Sequence, residues 1–126
     1  MRTVLHLFRH GQTDWNVTTQ HTGHTDLPLN EAGRAEARQL GERIRDQRFD
    51  RVLCSSLSRA RETCALAGHA AHAEYTDDLR EWHYGSWEGR TRAEIVGLFP
   101  GWDMWTQGAP DGESPGDLVA RVDRVL

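Results

Sequence analysis

The sequence predicts an α/β fold of three layers, a mostly parallel sheet flanked by helices, and three observations predict it. Short apolar runs at Thr3–Phe8 and Arg51–Cys54 fit strands buried on both faces better than alternating surface strands. A helical spacing lies between them, making a strand, helix, strand unit. No internal repeat, low-complexity tract or linker breaks the 126 residues, a length that fills one core, so residues 1–126 are expected to form a single domain.

The elements follow in order. Asn30 is a good N-cap, and Ala32, Ala35, Leu40 and Ile44 give an apolar face to a helix from Glu31 to Arg45. A second helix runs from Ser58 toward Ala67. Asp77 to Arg90 reads as a loop rich in Trp, Tyr, Gly and Glu, the kind of segment that carries function. A third helix starts after Thr91, with Glu94 as its capping-box partner and Ile95 and Leu98 on its apolar face. Ser114 and Pro115 then open a last helix in which Leu118, Val122, Val125 and Leu126 repeat up to the final residue. That stripe has no closing cap and reads as an interrupted element, so the C-terminal part of the fold is expected to be missing.

Composition excludes several classes. With 37% hydrophobic and 27% charged residues and five Trp, the chain is that of a folded protein rather than a disordered one. A net charge of -4 argues against a nucleic-acid partner, so any phosphate affinity must be local. All fifteen basic residues are Arg; this fits codon bias in the source, although Arg also suits bidentate phosphate recognition. Cys54 and Cys64 are too few for a disulfide framework and read as reduced interior thiols, with a cytoplasmic location as the expectation. Met1–Phe8 is too short for a signal sequence and no apolar run would span a bilayer, so no membrane association is expected. Homo-oligomerisation stays open.

The chemistry concentrates after the two strands. Arg9-His10-Gly11 follows the first, at the carboxyl edge where α/β sheets gather ligands. A neutral imidazole attacks phosphorus, while a neighbouring guanidinium grips phosphoryl oxygens and disfavours ring protonation. Arg59, in the first turn of the helix after the second strand, brings another guanidinium to the same edge, as phosphoryl transfer demands. Arg61 reads as a surface residue. His21 and His24 lack a neighbouring Cys or third ligand and read as part of a solvent-facing loop, so neither a metal nor a cofactor is expected. Trp102 and Trp105 read as core packing on a helix, with a role at the substrate entrance as the alternative.

Arg9-His10-Gly11, Thr13, Asn16, Thr22-Gly23, the Ser56-Leu57-x-Arg59-Ala60-x-x-Thr63 run and the stretch from Leu79 to Gly89 together resemble the histidine phosphatase, or phosphoglycerate mutase-like, superfamily. The resemblance covers nearly the whole chain. It implies that His10 becomes a transient phosphohistidine, that Arg9 and Arg59 grip the phosphoryl group, that Asn16, Thr22 and Gly23 line the pocket, and that Glu81 donates a proton to the leaving alcohol. Burial beside Trp82, Tyr84 and Trp87 would raise the Glu81 pKa and keep it protonated; the alternative is that Glu81 only pairs with Arg80 or Arg59.

Pro100–Ser114 and Trp82–Gly89 resemble the broad-specificity acid phosphatase branch. The function implied is a phosphomonoesterase acting on small phosphorylated metabolites, or binding inorganic phosphate. The alternatives are a cofactor-dependent phosphoglycerate mutase and a truncated phosphate-binding fragment without turnover. One departure stands out: the family pattern has a second catalytic histidine in a later His-Gly step, and no histidine follows His83. The expectation is a longer native chain, continuing past Leu126 into an apolar strand that supplies it, with the fragment alone unstable or self-associating; the alternative is a degenerate relative of the family.

Overall fold

The computed structural model describes residues 2–126. In chain order these form α1 (Asp14–Val17), α2 (Glu31–Ile44), β1 (Val52–Ser55), α3 (Ser58–Leu66), β2 (Ala73–Thr76), α4 (Arg92–Leu98), α5 (Met104–Gln107) and α6 (Pro115–Asp123). Single 3₁₀ turns lie at Ala70–His72, Asp77–Leu79 and Gly85–Trp87.

β1 and β2 pair in parallel, Val52 opposite Ala73 through Ser55 opposite Thr76, with α3 as the crossover that parallel pairing requires. The α/β class with a parallel sheet is therefore as expected. The first strand is not. Residues 3–8 adopt neither helix nor strand, and Val4, Leu5, Leu7 and Phe8 are exposed, Leu7 by 83%. A strand exists only through its ladder, and among the described residues β1 pairs with β2 alone. Hydrophobicity was legible there, but the partner was not.

α2 begins where Asn30 accepts a hydrogen bond from the Gly33 N–H at 2.9 Å. Its buried face is Gly33, Ala37 and Ile44 with Leu40 half-covered, whereas the expected Ala32 and Ala35 are exposed. Close backbone approach sets this face. A Cβ on Gly33 would lie 2.6 Å from Gln12 N, and one on Gly41 would lie 3.1 Å from the Ala67 backbone.

α3 lacks a side-chain cap of its own, and Asp26 supplies one from a distant loop, accepting from both Ser58 N and Ser58 Oγ at 2.7 Å. α4 carries the expected Thr91/Glu94 capping box. Ile95 is fully buried against Trp87 and Trp102, but Leu98 is 56% exposed. Trp102 packs in the core before α5 begins and Trp105 is exposed, edge-on to Trp82 at 5.7 Å, so the two do not share a buried helical face.

α6 opens with a Ser114/Asp117 capping box and Pro115 at its first turn, and ends at Asp123 rather than running to the last residue. Its most buried residue is Arg121, which donates to Glu113 from Nε at 2.5 Å and from Nη2 at 3.0 Å. Leu118, Val122 and Val125 are half-buried and Leu126 is exposed. β2, whose sequence Ala-Glu-Tyr-Thr has little apolar signal, and the four-residue α1 were not expected. No helix among the described residues is long and apolar enough to cross a membrane.

Candidate active site

His10 sits half-buried at the end of the exposed N-terminal segment. Arg59 Nε lies 3.2 Å from its Nε2, and its Nδ1 lies 2.7 Å from the Gly11 carbonyl oxygen. A guanidinium only donates, so Nε2 carries the lone pair and Nδ1 carries the proton given to Gly11. Burial lowers the His10 pKa below its ordinary 6.5, as do the nearby Arg59 and Arg9; the Gly11 bond and Glu81 pull the other way. The ring is thus held as a neutral imidazole whose Nε2 lone pair accepts from Arg59.

Arg59 reaches this ring from inside the protein and is only 1% exposed. Its Nη1 donates to Thr25 O at 3.1 Å, and its Nη2 to Thr22 O at 3.3 Å and Gly23 O at 2.8 Å. The guanidinium is therefore fixed by three carbonyls and a ring nitrogen. Burial lowers its pKa, and Glu81, Glu88 and Asp26 oppose that effect without bonding to it.

The turn that carries His10 is anchored to α3. Thr63 Oγ1 accepts from Gly11 N at 3.1 Å and donates to Arg59 O at 2.7 Å, so one hydroxyl ties the turn to the arginine's own backbone. Only glycine fits at residue 11, because a Cβ would lie 2.9 Å from the backbone of Gly33.

A cavity of about 230 Å³ opens beside His10, lined by Arg9, Asn16, Thr22, Glu81 and Tyr84 among others. Five of the seven expected residues thus share one wall, while Arg59 and Gly23 lie behind it. A larger space of about 450 Å³ lies between the N-terminal segment and α2; it shares Arg9 and His10 but lacks Asn16 and Glu81, so the smaller cavity is the one that gathers more of the expected residues. Asn16 commits its Oδ1 to Thr13 N at 2.8 Å and Thr13 Oγ1 at 3.0 Å in the α1 capping box, leaving its Nδ2 for a ligand.

Glu81 departs from expectation. Its carboxylate is exposed at the cavity rim and accepts from Trp82 N at 3.0 Å. Trp82 turns inward and donates its indole N–H to Glu113 O at 2.9 Å. Trp82 and Trp87 are thus buried in the core, and of the three expected aromatic neighbours only Tyr84 lines the cavity with Glu81. Its backbone is nevertheless fixed, since Arg121 Nη2 donates to Glu81 O at 3.2 Å.

His21 and His24 are half-buried rather than solvent-facing. His21 meets Tyr84 edge-on at 4.9 Å, and His24 lies 4.3 Å from His83. Burial lowers the His24 pKa, and His83 adds to it. Among the described residues no group of three His, Cys, Asp or Glu is placed to hold a metal. Arg61 is exposed, stacking over Tyr75 at 4.5 Å. Thr63 and Glu88 are the site residues that sequence reasoning left without a role. Both lie inside runs already quoted, but only the fold shows what they touch.

A neutral imidazole is thus fixed against a guanidinium buried in the first turn of the helix that follows β1. The chain belongs to the histidine phosphatase superfamily (branch 1), whose family model matches residues 5–126. It is 40% identical over 122 residues to an acid phosphatase of Mycobacterium tuberculosis, covering 95% of this chain and 60% of that protein. It is 41% identical over 102 residues to a 2,3-bisphosphoglycerate-dependent phosphoglycerate mutase of Bifidobacterium longum, covering 75% of this chain and 42% of the mutase. Among solved structures, an open-reading-frame product of Mycobacterium tuberculosis superposes with a TM-score of 0.85 at 37% identity, covering 92% of this chain and 61% of that one. The chain therefore spans about 60% of the length of the acid phosphatase it matches.

Proposed function

We propose that this chain forms most of a phosphomonoesterase site for small phosphate esters, with His10 as the nucleophile. The observation that carries the reading is the His10–Arg59 pair, because it leaves the lone pair on Nε2 and a fixed cation beside it. Nε2 attacks phosphorus as the Arg59 Nε–H exchanges its ring acceptor for an incoming phosphoryl oxygen, the Nη bonds to the three carbonyls staying in place. Arg9 takes a second oxygen, with Asn16, Thr22 and Gly23 shaping the pocket. Charge on the equatorial oxygens is stabilised where it develops. Glu81 at the rim gives a proton to the leaving alkoxide and then takes one from the water that cleaves the phosphohistidine. No metal enters this scheme.

The acid phosphatase relative and the residues of Pro100–Ser114 favour water as the acceptor; the mutase relative supports phosphoryl return to an alcohol as the second reading. One family model spanning residues 5–126 supports a single domain, and the unpaired Cys54 and Cys64 support a reducing, cytoplasmic compartment.

Phosphate release from an aryl phosphate, measured with and without bisphosphoglycerate, separates the readings. Release that ignores bisphosphoglycerate, through an acid-labile phosphoprotein lost in His10→Ala, is the expected result. Phosphate binding without release points to a non-catalytic module. Unchanged hydrolysis in His10→Ala, or full inhibition by a chelator, removes the proposal.

A further inference from the structure

We infer that Glu88 is a positioning residue for Arg59: it holds the Gly23–Thr25 strap whose carbonyls fix the guanidinium against His10. The inference rests on the roles proposed above for His10 and Arg59.

Both oxygens of the Glu88 carboxylate face the strap. Oε2 accepts from Gly23 N at 2.9 Å and from Thr25 Oγ1 at 3.1 Å, and Oε1 accepts from His24 N at 2.7 Å. The carbonyls of Thr22, Gly23 and Thr25 receive the Nη bonds of Arg59. The strap therefore lies between an anion on its N–H side and a cation on its C=O side. Each charge aligns the same peptide dipoles, so the two sets of bonds reinforce one another. Gly23 is required for this approach, since a Cβ there would lie 2.5 Å from Glu88 Oε1 and 2.9 Å from the Tyr84 ring.

Simple docking of the loop does not account for Glu88. Gly89 N donates to His21 O at 2.9 Å, His21 N to Arg90 O at 2.8 Å, and Gln20 Nε2 to Gly89 O at 2.8 Å. Those bonds join the two segments without the carboxylate. Glu88 adds control over the orientation of residues 23–25, and so over the last link of the path, Arg59 to His10.

The test compares the full chain with Glu88→Ala and Glu88→Gln. Arg59 is followed through its Nε–H resonance and guanidinium rotation by nuclear magnetic resonance, and aryl phosphate turnover is followed alongside. In the wild type the Arg59 Nε–H exchanges slowly. In folded Glu88→Ala it exchanges at least about ten-fold faster, and kcat/KM falls about 100-fold, mostly in kcat, the effect of misplacing a group from a distance. Glu88→Gln keeps one acceptor oxygen but turns an NH₂ toward the strap, so it lies between the two. Being isosteric, it serves if the Ala variant does not fold. Wild-type Arg59 exchange in either folded variant overturns the inference. If the wild type releases no phosphate, the proposed function fails, and the Arg59 exchange comparison still decides the role of Glu88.

Discussion

Arg59 Nε donates to His10 Nε2 across 3.2 Å, joining residues 49 positions apart in the sequence. One planar group serves that ring nitrogen and three carbonyls at once. A lysine ammonium is a compact point charge and cannot span all four. Arg59→Lys is therefore expected to lose about 3 kcal/mol of transition-state stabilisation, roughly 100-fold in kcat/KM, as when one preorganised donor is removed. Steady-state kinetics with an aryl phosphate measure it, and wild-type efficiency would place Arg59 outside the reaction.

The His10 ring is held below its ordinary pKa of 6.5, so its titration midpoint in the folded chain is expected below that value. Imidazole carbon and nitrogen shifts followed against pH report it directly. If the neutral ring is the nucleophile, as proposed, the acid limb of kcat/KM is expected to fall in the same range. His24 is shifted the same way. Below pH 6.5 the unfolded chain then binds more protons than the folded one. Stability should be full above that pH and decline as pH falls through the lower folded midpoints, read by denaturant titration at each pH. A midpoint above 6.5 for His10 would contradict the buried, arginine-flanked setting.

Two helical glycines should respond in opposite directions to the same substitution. Gly97 in α4 has open space around it, so Gly97→Ala is expected to add about 0.5–1 kcal/mol from helix propensity. Gly33 in α2 faces the Gln12 backbone, and Gly33→Ala should instead lose about 1–3 kcal/mol through overpacking. Urea unfolding of the two variants settles the sign. Stabilisation by both would mean that α2 does not press on the turn beyond His10.

Arg121 and Glu113 form an ion pair whose side chains are only 9% and 16% exposed. Arg121 also donates to the carbonyls of Asp78 and Glu81, at 2.8 and 3.2 Å. Arg121→Met is expected to cost about 3–5 kcal/mol, because it strands a carboxylate and two carbonyls. The exposed Arg51–Glu74 pair is the contrast, and Arg51→Met should leave the unfolding midpoint close to that of the wild type. Equal midpoints for the two variants in chemical unfolding would show that burial of Arg121 contributes nothing.

Caps were the most legible features. Asn30, Thr91 and Ser114 each mark a helix start, because capping is chemistry confined to four residues. The expectation that Arg9, His10 and Arg59 converge has its counterpart in the His10–Arg59 contact and in the cavity that Arg9 and His10 line. What failed depends on partners far along the chain. Thr3–Phe8 has a strand's composition but no ladder among the described residues. The buried face of α2 follows its glycines, whose importance lies in what approaches them and not in their own hydrophobicity. Glu81 sits among aromatic neighbours in sequence but turns away from Trp82 in space. Glu88 stood in plain view with nothing to show that its carboxylate faces residues more than sixty positions earlier.

A guanidinium sealed beneath carbonyl oxygens has surrendered its water without acquiring an anion in contact. If the pocket takes a phosphoryl group as proposed, a tetrahedral oxyanion stabilises the fold that holds Arg59, and the composition of the surrounding buffer becomes a folding variable. Phosphate at about a hundred times its dissociation constant would raise the unfolding free energy by about 2.7 kcal/mol. Chloride at the same ionic strength, lacking several oxygens to accept from different donors of the pocket at once, would leave the melting temperature near its starting value.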